Sequence, residues 1–148
     1  MNPKETVQAL MEAIQMGNFE KAKSYLSNDF KFSGPVPEPI SGAEWIGLSA
    51  KLRAAFPDLD YQFNTDGASG DTVNITAQLR GTHKGDLDLT AMHMGIIPAT
   101  GNSFRAALEH GKAMVRDGKI ISLRNEPTEG AGLMAILDQL GVKMPHLA

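Results

Sequence analysis

The chain has 148 residues, 42% hydrophobic and 21% charged, a balance that fits one self-supporting globular domain over residues 1–148 and excludes a disordered tail. Its 14 Lys and Arg are scattered among 17 Asp and Glu, giving a net charge of −3, so no concentrated basic face is on offer to nucleic acid. The absence of cysteine removes disulfides, thiolate nucleophiles and Cys-ligated zinc at once, and fits a reducing compartment.

The amino terminus, Met1-Asn2-Pro3-Lys4-Glu5, lacks the basic and apolar regions of a signal peptide. No stretch approaches the ~18–20 apolar residues of a transmembrane helix. A cytoplasmic, soluble protein with no membrane partner is expected, in which the sequon Asn74-Ile75-Thr76 is accidental.

Val7, Leu10, Met11 and Ile14 recur at the spacing of one helix face, with Asn2 as cap, Pro3 in the first turn and Glu5 completing a capping box. Gly17-Asn18 ends this helix, and Phe19, Ala22 and Leu26 predict a second, shorter one. Phe30 and Phe32 alternate as in a strand, after which Gly34, Pro35, Pro37 and Pro39 force an extended loop. Ser41 and Glu44 form a second capping box, followed by Trp45, Leu48, Leu52, Ala55 and Phe56 on a third helix that Pro57 stops.

Beyond Pro57 the period falls to two. Leu59, Tyr61 and Phe63, a turn over residues 67–71, and Val73, Ile75, Ala77 and Leu79 predict a hairpin. Residues 87–98 are ambiguous, whereas residues 104–115 and 119–126, joined by Asp117-Gly118, predict a second hairpin. Leu133, Ile136, Leu137 and Leu140 close the chain as a helix, with Gly141 as its stop and Pro145 beyond. Helices first, then an antiparallel meander, then one helix, make an α+β fold.

There is no P-loop, dinucleotide fingerprint, G-x-S-x-G elbow or H-E-x-x-H helix, which leaves ionisable groups on strands as the source of any chemistry. His83, Asp86 and Asp88 are read as solvated turn residues in preference to a metal cluster, so no metal ligand is assigned. His93 lies in an apolar stretch and could be a wall histidine or a catalytic one. Counting back in twos from His110 gives Leu108, Ala106 and Phe104, so His110 is expected on the apolar face and Glu109 opposite, unless a bulge at Gly111 reverses the phase. Ile121, Leu123 and Asn125 share a face of the last strand, where Asn125 can hydrogen-bond a carbonyl but cannot titrate. Trp45, Phe32, Tyr25, Tyr61, Met92, Met94 and Met114 are either core or the lining of a pocket.

The chain resembles the SnoaL-like polyketide cyclases of the nuclear transport factor 2-like superfamily. The residues that carry the resemblance are Ala55-Phe56-Pro57-Asp58-Leu59, Gly81-Thr82-His83 with Gly85, Pro98-Ala99-Thr100-Gly101, Arg116-Asp117-Gly118-Lys119-Ile120 and the closing Leu140-Gly141. It implies a cone-shaped α+β barrel, in which a curved antiparallel sheet wraps the helices around an apolar pocket, and a homodimer packed through the sheet. It also implies acid/base chemistry on an apolar carbonyl substrate without metal or cofactor, as in aldol cyclisation or ketosteroid isomerisation. The family pattern places a pocket-facing His and Asp on the last strand, and this sequence has Leu123 and Asn125 there.

His110 or His93 is then the expected base, with Asn125 orienting the substrate and Trp45, Phe32, Tyr61, Met94, Glu109 and Leu123 binding it. The alternative is a non-catalytic module that binds a ligand in the pocket or a partner on the sheet. The loop over residues 34–40 and the segment 87–98 are expected to rim the cavity.

Overall fold

The computed structural model describes residues 2–34, 38–90 and 93–142. Pro35, Pro37, Met92 and Pro145, which figured in the sequence reading, lie outside the described residues.

Helix α1, Pro3–Met16, starts as its sequence dictates. The Asn2 side chain accepts from the Glu5 backbone at 2.8 Å, and Glu5 accepts in return from Asn2 at 3.0 Å. Gly17 ends it in the left-handed region at φ 74°. Helix α2, Phe19–Ser24, is shorter than its spacing suggested: Leu26 belongs to strand β1, Leu26–Ser33, where it pairs with Ile120. After β2, Ile40–Ser41, the Ser41/Glu44 capping box opens α3, Gly42–Ala55.

The first hairpin departs from the alternating pattern. Its strands are β3, Asn64–Ser69, and β4, Thr72–Ala77, with a tighter turn at Gly70-Asp71. Leu59 and Tyr61 stay buried but join no strand, because Gln15 of α1 takes the place of a neighbour. Its amide donates to the Leu59 carbonyl at 3.0 Å, and its oxygen accepts from the Tyr61 N–H at 2.8 Å.

Short strands follow: β5, Arg80–Thr82, pairs with β8, Ser103–Arg105, and β6, Leu87–Asp88, pairs with β7, Ile96–Ile97. Strands β9, Glu109–Arg116, and β10, Lys119–Asn125, form the second hairpin, with both turn residues in the left-handed region, Asp117 at φ 52° and Gly118 at φ 75°. Two positive φ angles give a primed turn that matches strand twist, which is why the Asp-Gly pair was readable from sequence. Helix α4, Leu133–Gln139, ends before Gly141 at φ 79°.

The main sheet runs in the order β2-β1-β10-β9-β4-β3, with β1 parallel to β10 and the other pairs antiparallel. It is curved and open, with β2 and β3 as its edges, so the cone is not a closed barrel. Val7, Leu10 and Ile14 of α1, Phe56 after α3, Ile136 and Leu137 of α4, and the inward residues of the sheet form one core. Burying each such side chain stabilises the fold by about 1.5–3 kcal/mol before entropy is counted.

Candidate active site

A cavity of about 140 Å³ lies between the helices and the inner face of the sheet. Phe32 from β1, Leu123 from β10 and Trp45 from α3 make one wall of it. The Trp45 ring stacks on Phe32 with centroids 5.9 Å apart and leans on Phe30 at 5.5 Å. Ile75 and Ala77 of β4, with Leu133 and Ile136 of α4, add further apolar surface. Two polar groups interrupt it: the pair Glu109 and Asn125, and the pair Tyr61 and Ser49.

Glu109 opens β9, and alternation along that strand turns Glu109, Gly111, Ala113 and Val115 inward. Its side chain is buried at 8% exposure. Asn125 Nδ2 donates to Glu109 Oε2 at 3.2 Å. No Lys, Arg or His is among the described residues lining the chamber, so no cation there compensates the carboxylate. Burial holds the Glu109 carboxyl above its ordinary range, while hydrogen bonds from Asn125 and the Gly132 backbone pull the other way.

Gly111 makes this geometry possible. It stands opposite Asn125 in the β9–β10 ladder, and a Cβ on it would lie 2.5 Å from Asn125 Oδ1. Glycine there leaves the amide room to turn toward Glu109.

Tyr61 is also buried, and burial raises its hydroxyl to about 12 against a hydrogen bond with Ser49 and the charge of Arg53. At neutral pH it is a hydrogen-bond donor inside the chamber and not a base.

Six residues singled out in the sequence therefore meet in one chamber: Phe32, Trp45, Tyr61, Glu109, Leu123 and Asn125. The other three do not. His110 is exposed on the outer face, opposite to its expected side. The phase reverses in residues 106–108, which join β8 to β9 without belonging to either strand: Phe104 and Ala106 are buried, Leu108 is exposed, and Glu109 is buried again. The reversal precedes Gly111, which itself stays in register with Asn125 and Ile75. His93 is exposed in a turn at φ 62°, and Met94 is half-buried against the core, away from the lining.

The expected rim also differs. None of the described residues over 34–40 or 87–98 lines the cavity, although a Cβ on Gly34 would come within 3.1 Å of Asn125. Leu87, Leu89 and Ile97 enter the core instead, and Lys51 of α3 ties Asp88 down at 3.1 Å.

His83 corrects a second expectation, for it is fully buried and not a solvated turn residue. Its Nδ1 accepts from the Thr100 N–H at 3.2 Å and lies 3.0 Å from the Thr100 hydroxyl, while its ring packs against Phe56. Asp86 accepts from the Ala99 N–H at 3.2 Å, and Asp88 accepts from Thr90 and Lys51. These three side chains pin loops.

Alternation counted from Phe104 places Glu109 on the side away from the apolar face. The signal that locates it was present: counting back from the Asp117-Gly118 turn through Val115, Ala113 and Gly111 reaches Glu109 in phase.

Among solved structures, wild-type IdmH from Streptomyces antibioticus, a proposed polyketide cyclase, matches at 24% identity and a TM-score of 0.72, over 96% of this chain and 100% of that one. A proposed SnoaL-like polyketide cyclase from Jannaschia sp. CCS1 matches at 20% identity and 0.71, over 95% and 92% of the two chains. A LEH-like epoxide hydrolase from M. tuberculosis matches at 16% identity and 0.62, over 93% and 90%. At such identities the likeness is one of fold. No protein of curated function matches the chain. The family model for SnoaL-like polyketide cyclases, however, matches residues 4–137, nearly the whole chain. The chain therefore belongs to the SnoaL-like polyketide cyclase family.

Proposed function

We propose that the chain is an acid/base enzyme that moves a proton at carbon beside the carbonyl of an apolar substrate, with Glu109 as the base. The observation that carries this reading is a buried carboxylate in an apolar chamber, without a cation among the described lining residues and oriented by Asn125 at 3.2 Å. Desolvation raises the proton affinity of such a carboxylate toward working pH, as a general base requires. Glu109 takes the proton from the α-carbon, and the C–H electron pair becomes an enolate. Returning the proton to another carbon gives an isomer. Attack of the enolate carbon on a second carbonyl forms a C–C bond, with the proton passing to the new alkoxide, and gives a cyclised product. The Tyr61 hydroxyl, paired with Ser49, would turn its single proton from Ser49 to the enolate oxygen.

Replacing His110 by Glu109 in the role of base keeps the family's chemistry while moving the carboxylate from β10 to β9. The test is turnover of a panel of cyclic enones and β-ketoesters by wild type and Glu109→Gln. A loss of roughly 10²–10⁴-fold in kcat is expected. Wild-type rates in the variant would overturn the assignment.

Leu123 and Asn125, at the positions where the resemblance has a His and an Asp, favour one other reading, a pocket that binds without turnover. Saturable binding of panel compounds without conversion by wild type would select it. A homodimer through the outer sheet face, where His110 and Met114 are exposed, is part of the proposal and is tested by sedimentation.

A further inference from the structure

Outside the chamber lies a second concavity, of about 380 Å³, between α1 and the chain running from Asp60 into β3. Met11 and Phe63 line both spaces and so form the partition between them. The two compartments differ in chemistry. The inner one is apolar apart from its two polar pairs. The outer one presents the carboxamides of Gln8 and Gln62 together with Glu12, while the Gln15 carboxamide in its lining is committed to Leu59 and Tyr61 and Asp60 is paired with Arg80 at 3.2 Å; no Lys or Arg is among its described lining residues.

The backbone at the partition is built to serve both. Gln62 holds φ at 48°, a conformation that side-chain-bearing residues adopt at a cost. Tyr61 before it lines the chamber, Gln62 lines the groove, and Phe63 after it lines both. The Tyr61 and Phe63 rings stack at 4.7 Å with planes 14° apart, so the partition is an aromatic edge continuous with the chamber wall.

Size then limits the occupant. A volume of about 140 Å³ is comparable to apolar cavities that admit one benzene-sized molecule, so a fused three-ring system does not fit inside. From these observations we propose that the substrate is a two-part molecule: a single-ring carbonyl head enclosed beside Glu109, and an uncharged, hydroxyl-bearing tail that passes between Met11 and Phe63 into the groove. Carboxamides both donate and accept, which matches hydroxyl groups. Glu12 disfavours an anionic tail, and a phosphate or carboxylate would find no cation among the described lining residues, the nearby Arg80 being held by Asp60.

The proposal rests on the chamber being the substrate site, but its test reads binding and not proton transfer. Isothermal titration of wild-type protein compares phenol, phenyl β-D-glucopyranoside, phenyl phosphate and 1-anthrol. Two or so new hydrogen bonds predict that the glucoside binds about tenfold tighter than phenol. Phenyl phosphate should bind no tighter than phenol, and 1-anthrol more weakly. The double variant Glu12→Ala/Gln62→Gly changes two exposed groove residues, and glycine suits the backbone at position 62, so the fold should persist. It should bring the glucoside to the affinity of phenol and leave phenol unchanged.

Equal binding of phenol and its glucoside by wild type, tightest binding of the phosphate or of 1-anthrol, or no binding of any one-ring probe would each overturn the proposal. So would a double variant that kept the glucoside's advantage. An unaltered rate in Glu109→Gln would instead refute the acid/base reading and leave this one standing.

Discussion

Asn125 Nδ2 and Glu109 Oε2 stand 3.2 Å apart and join the ends of two neighbouring antiparallel strands across an apolar chamber. The two residues are diagonal neighbours, since Asn125 pairs directly with Gly111 and Glu109 lies two residues further along β9. Their side chains meet because the residue between them on that face has none. The site is thus a property of three positions, and each gives a separable experiment.

Glu109→Gln isolates the charge. Burial favours the protonated carboxyl in the fold, so the native protein holds its proton to higher pH than the unfolded chain does. The associated stability is whole below the ordinary glutamate value and is lost as pH rises through Glu109's own. The glutamine variant keeps an acceptor for Asn125 and carries no charge at any pH. It should melt above wild type at neutral pH, with the gap closing on acidification past the ordinary glutamate value. A variant less stable than wild type at every pH would contradict this.

Gly111→Ala isolates the space. The added Cβ meets Asn125 Oδ1 at 2.5 Å and the Arg124 carbonyl at 3.1 Å, the latter on backbone that cannot swing aside. Overpacking of this kind costs about 1–3 kcal/mol, and the amide must turn away from Glu109. Urea unfolding should show the loss, and activity should fall with it. An alanine variant of wild-type stability would mean that the strands separate freely at this point.

Much of the fold was legible because local chemistry and tertiary packing agree there. The capping boxes at Asn2/Glu5 and Ser41/Glu44 and the Asp117-Gly118 turn use residues whose side chains or φ preferences decide the conformation by themselves. Legibility failed where a distant partner decides. Leu59 and Tyr61 alternate as a strand would, yet Gln15, over forty positions away, takes their hydrogen bonds. His110 and Glu109 exchanged sides because residues 106–108 cross between sheets and reset the alternation. An aromatic lining for the chamber was visible in Phe32, Trp45 and Tyr61, whereas the identity of the buried carboxylate depended on that one phase.

His83 illustrates the same failure and carries its own prediction. Gly81-Thr82-His83-Lys84-Gly85 has the composition of a surface turn, but Phe56 and Thr100 enclose the imidazole. Burial lowers its proton affinity, more than Asp86 and the Gly85 backbone raise it. The neutral ring therefore belongs to the folded state. Its contribution is complete above the ordinary histidine value and is lost as pH falls through that value toward His83's own. His83→Asn can still accept from the Thr100 N–H and never charges. The wild-type melting temperature should fall between about pH 7.5 and about pH 5.5 more steeply than that of the variant. Parallel curves would show that folding does not shift the titration of His83.

Asn125→Asp restores at this position the carboxylate that the family resemblance implies, but here it arrives beside Glu109. Two carboxyl oxygens about as close as the present 3.2 Å contact cannot both be charged in an apolar chamber, so one proton should be shared between them. The pair then titrates as a unit, with its second proton lost at higher pH than Glu109 alone loses its own. Because that proton is held more tightly in the fold than in the unfolded chain, stability is present at low pH and drains away as pH rises through the pair's upper step. The variant should therefore lose melting temperature on alkalinisation over a higher and wider range than wild type. The acidic limb of its pH–rate profile should move upward in step, since the base is free only after that proton leaves. Asn125→Ala, which removes the hydrogen bond that lowers Glu109 without adding a charge, should show both displacements in the same direction but smaller. If Asn125→Asp and wild type gave superimposable pH profiles for both stability and rate, the two side chains would not be in contact in solution, and the chamber would have to be rebuilt around a different base.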